Sequence, residues 1–281
     1  MRRAVLLLAT LVLALPAAAH AAPDTPPPGA NDFTCKPTAA KPRPLVLVHG
    51  LGANMDNNWA FMAPRLKAEG WCVFALTYGL DARQASSPYR PGGVMRMQDS
   101  ARELRSFVAR VRRATGAKEV DLVGHSEGTV MPRWYLERLG GAKRVRRFVA
   151  LTPLWRGTEI AGTPWLRDLG AVFGLDKPII EAVEQFCASC PQFVRGSEYL
   201  NALNADGERI PGVWHTNIVT RYDELVIPFT SGIMRDGGRN IVVQDVCPFN
   251  LSEHAFVAYD PVVFQLIRNA LDARHAQEVR C

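Results

Sequence analysis

Beyond its leading segment, this 281-residue chain has no run of twenty or so apolar residues, which excludes a helical transmembrane anchor. The leading segment is itself too short to span a bilayer. Met1-Arg2-Arg3 precedes an apolar run from Ala4 to Leu15, broken only by Thr10, and Ala19-His20-Ala21 has the small-x-small form of a cleavage site. Residues 1–21 are therefore read as a signal peptide cut after Ala21, and the mature protein as secreted, either extracellular or periplasmic. No cysteine stands at the cleavage site, which argues against a lipid-anchored lipoprotein. The basic stretch Lys143-Arg144-Val145-Arg146-Arg147 lacks interleaved aromatics, so it does not read as a nucleic-acid surface. No second C-x-x-C completes a zinc site with Cys187-Ala188-Ser189-Cys190, and no thioredoxin-like βαβ context surrounds it. No cluster calls for a metal, no cofactor is expected, and no internal repeat is apparent.

What is present fits one large domain. Removing 21 residues leaves 260, enough for a substantial core, and formal charge falls from +6 to +4 as Arg2 and Arg3 leave. Residues 22–34 form a Pro-rich tail (Pro23 to Pro28) expected to be disordered, and 35–281 the folded domain. All six cysteines lie in the exported portion, where oxidation is expected. The spacing of Cys187 and Cys190 suggests a local structural bridge. Cys35 with Cys72 and Cys247 with Cys281 are the expected remaining pairs.

Short apolar runs at Pro44 to Gly50, Cys72 to Thr77, Val120 to Val123, Phe148 to Leu151, Val213 to Thr220 and Asn240 to Gln244 read as strands. Between them, helices are expected over about Trp59 to Glu69, Met97 to Arg113, Thr129 to Leu139 and Pro261 to Leu271. Such alternation predicts an α/β fold, a doubly wound and mainly parallel sheet with helices on both faces. Two stretches break the rhythm. Asp81 to Gln98 reads as a long loop. Arg156 to Tyr199 reads either as ordinary core helix or as a cap forming an acyl pocket, with Trp165, Leu166, Leu169, Val172 and Phe173 at helical spacing.

Gly124-His125-Ser126-Glu127-Gly128 lies where a predicted strand meets a predicted helix, the setting of a nucleophile elbow. Glycines on both sides remove the Cβ atoms that would collide in so sharp a turn. Ser126 as a nucleophile needs an imidazole to take its proton and a carboxylate to hold that imidazole. With chain order Ser, acid, His, only His215, His254 and His275 are eligible bases. His215 lies inside a strand and His275 in a polar tail, whereas His254 follows a strand in a loop, so His254 is the expected base. Asp223 is the expected acid, ahead of Glu224 and then Asp245. The backbone N–H groups of Leu51 and Glu127 are the expected oxyanion donors. His49, which ends a buried strand, is read as orienting that loop.

These residues resemble those of secreted actinobacterial-type class 2 triacylglycerol lipases and esterases. The resemblance runs through Val46 to Gly50 with Asn58-Trp59, Gly70 to Leu76, Asp121 to Ser126 and Met131-Pro132-Arg133. It continues through Thr220 to Glu224, Gln244 to Pro248 and Glu253-His254. It implies an α/β-hydrolase fold, cofactor-free hydrolysis of carboxylic esters, and a triad of Ser126, Asp223 and His254. The partner is then a small-molecule or lipid ester, with a lipid–water interface as a place to meet it. An acyltransferase or polyester depolymerase with the same triad is the alternative, and a non-catalytic binding protein on the same fold a further one.

Departures from the family pattern occur at three places. Glu127 stands where glutamine is common, Gly52-Ala53 replaces a bulkier residue followed by glycine, and Arg156 stands where histidine is frequent. A carboxylate at Glu127 should favour the imidazolium form of the base. Gly52 should widen the acyl entrance.

Overall fold

The computed structural model describes residues 25–84, 90–159 and 176–281. The signal segment 1–21 and the apolar residues Trp165, Leu166, Leu169, Val172 and Phe173 lie outside the described residues. Among the described residues, six strands form one sheet: β1 (Leu45–Val48), β2 (Val73–Leu76), β3 (Val120–His125), β4 (Val145–Leu151), β5 (Trp214–Val219) and β6 (Arg239–Val242). Every pairing is parallel, in the order β2-β1-β3-β4-β5-β6. Parallel neighbours require crossovers, and helices supply them: α1 (Met55–Trp59), α2 (Met62–Ala68), α3 (Met97–Thr115) and α4 (Glu127–Arg138). Then come α5 (Asp176–Glu184), α6 (Glu198–Asn204), α7 (Val243–Val246) and α8 (Pro261–Leu271).

Strand β1, covered on both faces, shows why the runs are continuously apolar. Leu45 and Leu47 point to one face, where Trp59, Met62, Leu66, Leu266 and Ile267 pack. Val46 and Val48 point to the other, against Met97, Leu104, Val108 and Val130. All four strand residues are fully buried, each contributing on the order of 1.5–3 kcal/mol. The chain runs outward from β1 to β2 and returns to place β3 on the other side of β1. The carboxyl ends of β1 and β3 therefore flank the crevice where the winding reverses direction.

The expected elements need three adjustments. The helix expected over about Trp59 to Glu69 is two pieces, because Asn54 starts α1 early with a capping box through Asn57. The last strand stops at Val242, and Gln244 belongs to α7. The disordered tail expected before residue 35 is ordered over its described part. Ala30 bridges Val73, and the Asn31 side chain accepts from Ala75 N and donates to Ala75 O at 2.9 and 2.8 Å. The physical reason is that β2 is an edge strand whose outer polar groups need partners, and Asn31 supplies them. Disulfides join Cys35 to Cys72, Cys187 to Cys190 and Cys247 to Cys281. No helix among the described residues is long and apolar enough to cross a membrane.

Candidate active site

Between β3 and α4, Ser126 has φ +55° and ψ −123°, a backbone conformation that L-residues rarely adopt. Packing around it is too close for side chains. A Cβ on Gly124 would lie 2.1 Å from Gly128 O, and one on Gly128 would lie 2.2 Å from Val48 O. Only glycine at both positions lets the strand turn into the helix against β1, which leaves Ser126 at the crest. The strain of about 1–3 kcal/mol is held in place by the surrounding core.

His254 lies with Nε2 2.8 Å from Ser126 Oγ and Nδ1 2.9 Å from Asp223 Oδ1. An ionised Asp223 has only acceptors, so Nδ1–H donates to it and the lone pair on Nε2 faces the serine hydroxyl. Asp223 is fixed in turn, accepting from the N–H groups of Leu225 and Val226. Two buried residues bracket the loops that carry Asp223 and His254: Gln244 Nε2 donates to Thr220 Oγ1 and Asn250 O, while Thr220 Oγ1 donates to Ser252 O.

The other carboxylates do different work. Glu224 accepts from the backbone N–H of His254 at 3.2 Å, which steadies the loop but leaves the ring to Asp223. Asp245 pairs with Arg221, its side chain 59% exposed against 2% for Asp223. Among the eligible histidines, His215 is buried against Phe148 and Trp155, and that burial lowers its pKa to about 4. His275 is exposed beside Asp272. Arg156 is tied to Glu208 and to the carbonyls of Thr230 and Ile233.

At the end of β1, His49 is fully buried, with Nδ1 2.7 Å from Gly50 O and Nε2 accepting from Tyr78 N–H at 3.2 Å. Burial lowers its pKa to about 4, so it stays neutral and acts on loop geometry. Gly52 N donates to Gly92 O, and Gly92 N to Ala53 O. The N–H groups of Leu51 and Glu127 have no hydrogen-bond partner among the described residues, and both residues line the pocket beside Ser126. A Cβ on Gly52 would meet nothing within 4 Å, although its φ of +72° favours glycine there.

Sequence reasoning assigned no role to Asn58, Tyr78, His125 or Ser189. Asn58 Oδ1 accepts from Gly50 N and lies 3.0 Å from His125 Nδ1, while His125 Nε2 lies 2.9 Å from His254 O. Neutral His125 has one N–H and donates to one of these two oxygens, and together the contacts bring the β1 loop, the elbow and the loop of His254 against one buried ring. Burial pushes the His125 pKa down to about 3, which keeps a second cation away from His254. Its place three residues after Met55 and beside Trp59, on the buried face of α1, was the available signal for Asn58.

The expected influence of Glu127 on the base needs correction. Its side chain turns beneath the elbow, 1% exposed, with Oε1 3.3 Å from Tyr78 Oη and Oε2 3.1 Å from Ser189 Oγ. Burial raises its pKa to about 8, so at neutral pH it carries little charge with which to favour imidazolium.

The pocket holds about 380 Å³ and opens at Ser126, with Leu51, Leu154, Phe193, Leu225, Val226 and Tyr259 among its walls. The loops that carry Asp223 and His254 also carry exposed apolar side chains, among them Tyr222, Ile227, Leu251 and Phe256, with Phe249 95% exposed. Among the described residues, no group of three His, Cys, Asp or Glu could hold a metal ion.

A profile of the class 2 lipases matches residues 42–266. Among solved structures, the fold is similar to lipase B of Aspergillus fumigatus, with a TM-score of 0.66 and 20% identity over 91% of this chain and 57% of that one. It is also similar to a Bacillus licheniformis lipase in mature form (TM-score 0.58, 15% identity, 84% of this chain and 94% of that one). A monoacylglycerol lipase of Paleococcus ferrophilus gives a TM-score of 0.53 at 16% identity, covering 82% of this chain and 95% of that one. The chain thus spans little more than half of the Aspergillus protein. At these identities the likeness is one of fold, and with the sheet order it identifies the α/β-hydrolase architecture.

Proposed function

The chain belongs to the class 2 lipase family, and on that premise we propose that it is a secreted serine carboxylic-ester hydrolase working through an acyl-enzyme. The observation that carries this reading is the double contact of His254, 2.8 Å to Ser126 Oγ and 2.9 Å to Asp223 Oδ1.

In this reading Ser126 Oγ attacks the ester carbonyl as His254 Nε2 takes the hydroxyl proton, with Asp223 steadying the imidazolium. The carbonyl oxygen becomes an oxyanion facing the N–H groups of Leu51 and Glu127. His254 then returns the proton to the leaving alcohol. Water, deprotonated by the same imidazole, cleaves the acyl-enzyme to release the carboxylic acid and restore Ser126. The acyl chain lies in the apolar pocket, and the exposed apolar side chains of the flanking loops suit a lipid ester met at an interface. Residues 35–281 act as one catalytic unit. The chain is exported after cleavage behind Ala21, in keeping with three disulfides.

The test is hydrolysis of p-nitrophenyl esters from acetate to palmitate by the oxidised mature protein beside Ser126→Ala, with fluorophosphonate labelling as a second readout. The expected result is turnover and labelling that vanish in the variant. A folded wild-type protein that neither turns over nor labels would refute the reading. Added alcohol that outcompetes water for the acyl group would favour an acyltransferase.

A further inference from the structure

The Cys187–Cys190 loop and the Glu127 side chain have no part in the steps above, yet they meet directly beneath the elbow. Ser189, fully buried between the bridged cysteines, places Oγ 3.1 Å from Glu127 Oε2 and 2.6 Å from Gly93 O. From the other side, Tyr78 Oη lies 3.3 Å from Glu127 Oε1 and 2.8 Å from His49 O.

Counting protons decides the charge of this cluster. Each hydroxyl has one hydrogen, and each sits nearer to a backbone carbonyl than to the carboxyl. Carbonyls can only accept, so both hydroxyl protons point to Gly93 O and His49 O. The carboxyl of Glu127 is left facing the lone pairs of Ser189 Oγ and Tyr78 Oη. A carboxylate there would be a buried anion without a donor, whereas a carboxylic acid donates its proton to one of those oxygens, so that three of the four contacts carry a hydrogen and no charge is buried.

Among the described residues, the neighbours supply no compensating cation. The titratable groups facing Glu127 are Tyr78 and, from α6, Tyr199, with His49 and Glu103 behind Tyr78. Burial keeps His49 neutral. Arg133, farther along α4, is engaged by Glu137, Asn204 and the carbonyls of Leu203 and Gly207. Burial raises the Glu127 pKa to about 8, the same direction as the proton count.

The cluster also touches both halves of the oxyanion site. A Cβ on Gly93 would lie 3.1 Å from Glu127 Oε1 and 3.2 Å from Leu51 Cα, so the carboxyl packs against the turn that supports Leu51. That turn is bonded to the Gly50–Ala53 loop through Gly92. Ala188 N donates to Val94 O, which docks the disulfide loop on the same turn.

We propose that Glu127, held as a neutral carboxylic acid, is a positioning residue that works with Ser189 of the Cys187–Cys190 loop. Together they set the spacing between the Leu51 and Glu127 N–H donors, so that ionising Glu127 disturbs the oxyanion site and lowers kcat. This rests on the acyl-transfer reading above. Glutamine at position 127 keeps a donor and cannot ionise, so Glu127→Gln separates charge from shape.

The experiment measures kcat and KM for p-nitrophenyl butyrate against pH in wild type, E127Q and S189A, with Ser126→Ala as blank. Infrared spectra of the same proteins at neutral pH read the carbonyl stretch of a protonated carboxylic acid. Wild-type kcat is expected to fall on the alkaline side with a midpoint near pH 8, while E127Q holds its plateau. The two should differ about tenfold one pH unit above the midpoint, where about a tenth of the acid remains protonated. S189A is expected to lower kcat about tenfold with KM unchanged, as loss of oxyanion alignment requires. The carbonyl band should be present in wild type and missing in E127Q. Coincident alkaline limbs for wild type and E127Q, or identical infrared spectra, would overturn the proposal. A wild type that shows the band but has no Ser126-dependent turnover would overturn the acyl-transfer premise and the positioning role with it, leaving only the neutral acid.

Discussion

Replacing Glu127 by glutamine should change how stability depends on pH, and the size of the change follows from burial. The carboxyl titrates near its ordinary value of 4.5 when unfolded and near about 8 when folded, chiefly because burial removes water from the charged form. Folding therefore takes up a proton between those two values. This group's contribution is fully present below pH 4.5, declines as pH rises through the window, and is lost above about 8. The slope is about 1.4 kcal/mol per pH unit, so wild type should lose about 2–3 kcal/mol relative to E127Q between pH 5.5 and 7.5. His49, His125 and His215, whose burial lowers their pKa values, make stability rise with pH in the acid range. They are present in both proteins and cancel in the difference. The assay is equilibrium urea unfolding of the oxidised proteins followed by tryptophan fluorescence across this range. Parallel curves of stability against pH for the two proteins would refute a proton bound on folding at residue 127.

Further expectations follow from other parts of the structure. Asp223→Asn should reduce kcat by about 10³–10⁴ with the fold intact, because the asparagine leaves His254 in the wrong tautomer. Asp245→Asn, altering only an exposed ion pair, should leave the rate within about twofold; the reverse order in a kinetic comparison would overturn the assignment of the acid. Gly128→Ala should destabilise by about 3 kcal/mol or more, since the new methyl would lie 2.2 Å from Val48 O and 2.4 Å from His49 O. A melting temperature equal to wild type would refute the close packing of elbow on β1. Arg133→Met should cost about 3–5 kcal/mol, because it leaves Glu137, Asn204 and two buried carbonyls without their shared donor. Chemical unfolding measures the loss, and a change below about 1 kcal/mol would mean that the buried guanidinium is dispensable.

Much of the fold was legible because the information is local. Leu45 to Val48 is apolar at every position and ends in a glycine turn, as a short strand covered on both faces does. The elbow was legible for a related reason: Gly124 and Gly128 flank Ser126 at the distances where a strand turning into a helix has no room for Cβ. His254 stood out because it alone among the eligible histidines follows a strand in a loop. The break between α1 and α2 and the early end of β6 were less legible, since capping by Asn54 and the turn at Val243 outweigh hydrophobic pattern. The N-terminal residues were misread on composition. Their proline content suits disorder, but the unfilled edge of β2 lies some forty residues away and its demand for partners is invisible locally.

The sequence by itself determined the class of fold and singled out Ser126 and His254, because period, turn chemistry and chain order are properties of neighbouring residues. Only the tertiary structure shows where the three carboxylates lie, with Asp223 buried against the His254 ring, Glu224 on its backbone and Asp245 drawn off by Arg221. It also decided the charge of Glu127. An isolated glutamate is an anion at neutral pH, and this one is held as an acid because Tyr78, Gly93 and Ser189, remote in sequence, enclose it without offering a free proton or a cation.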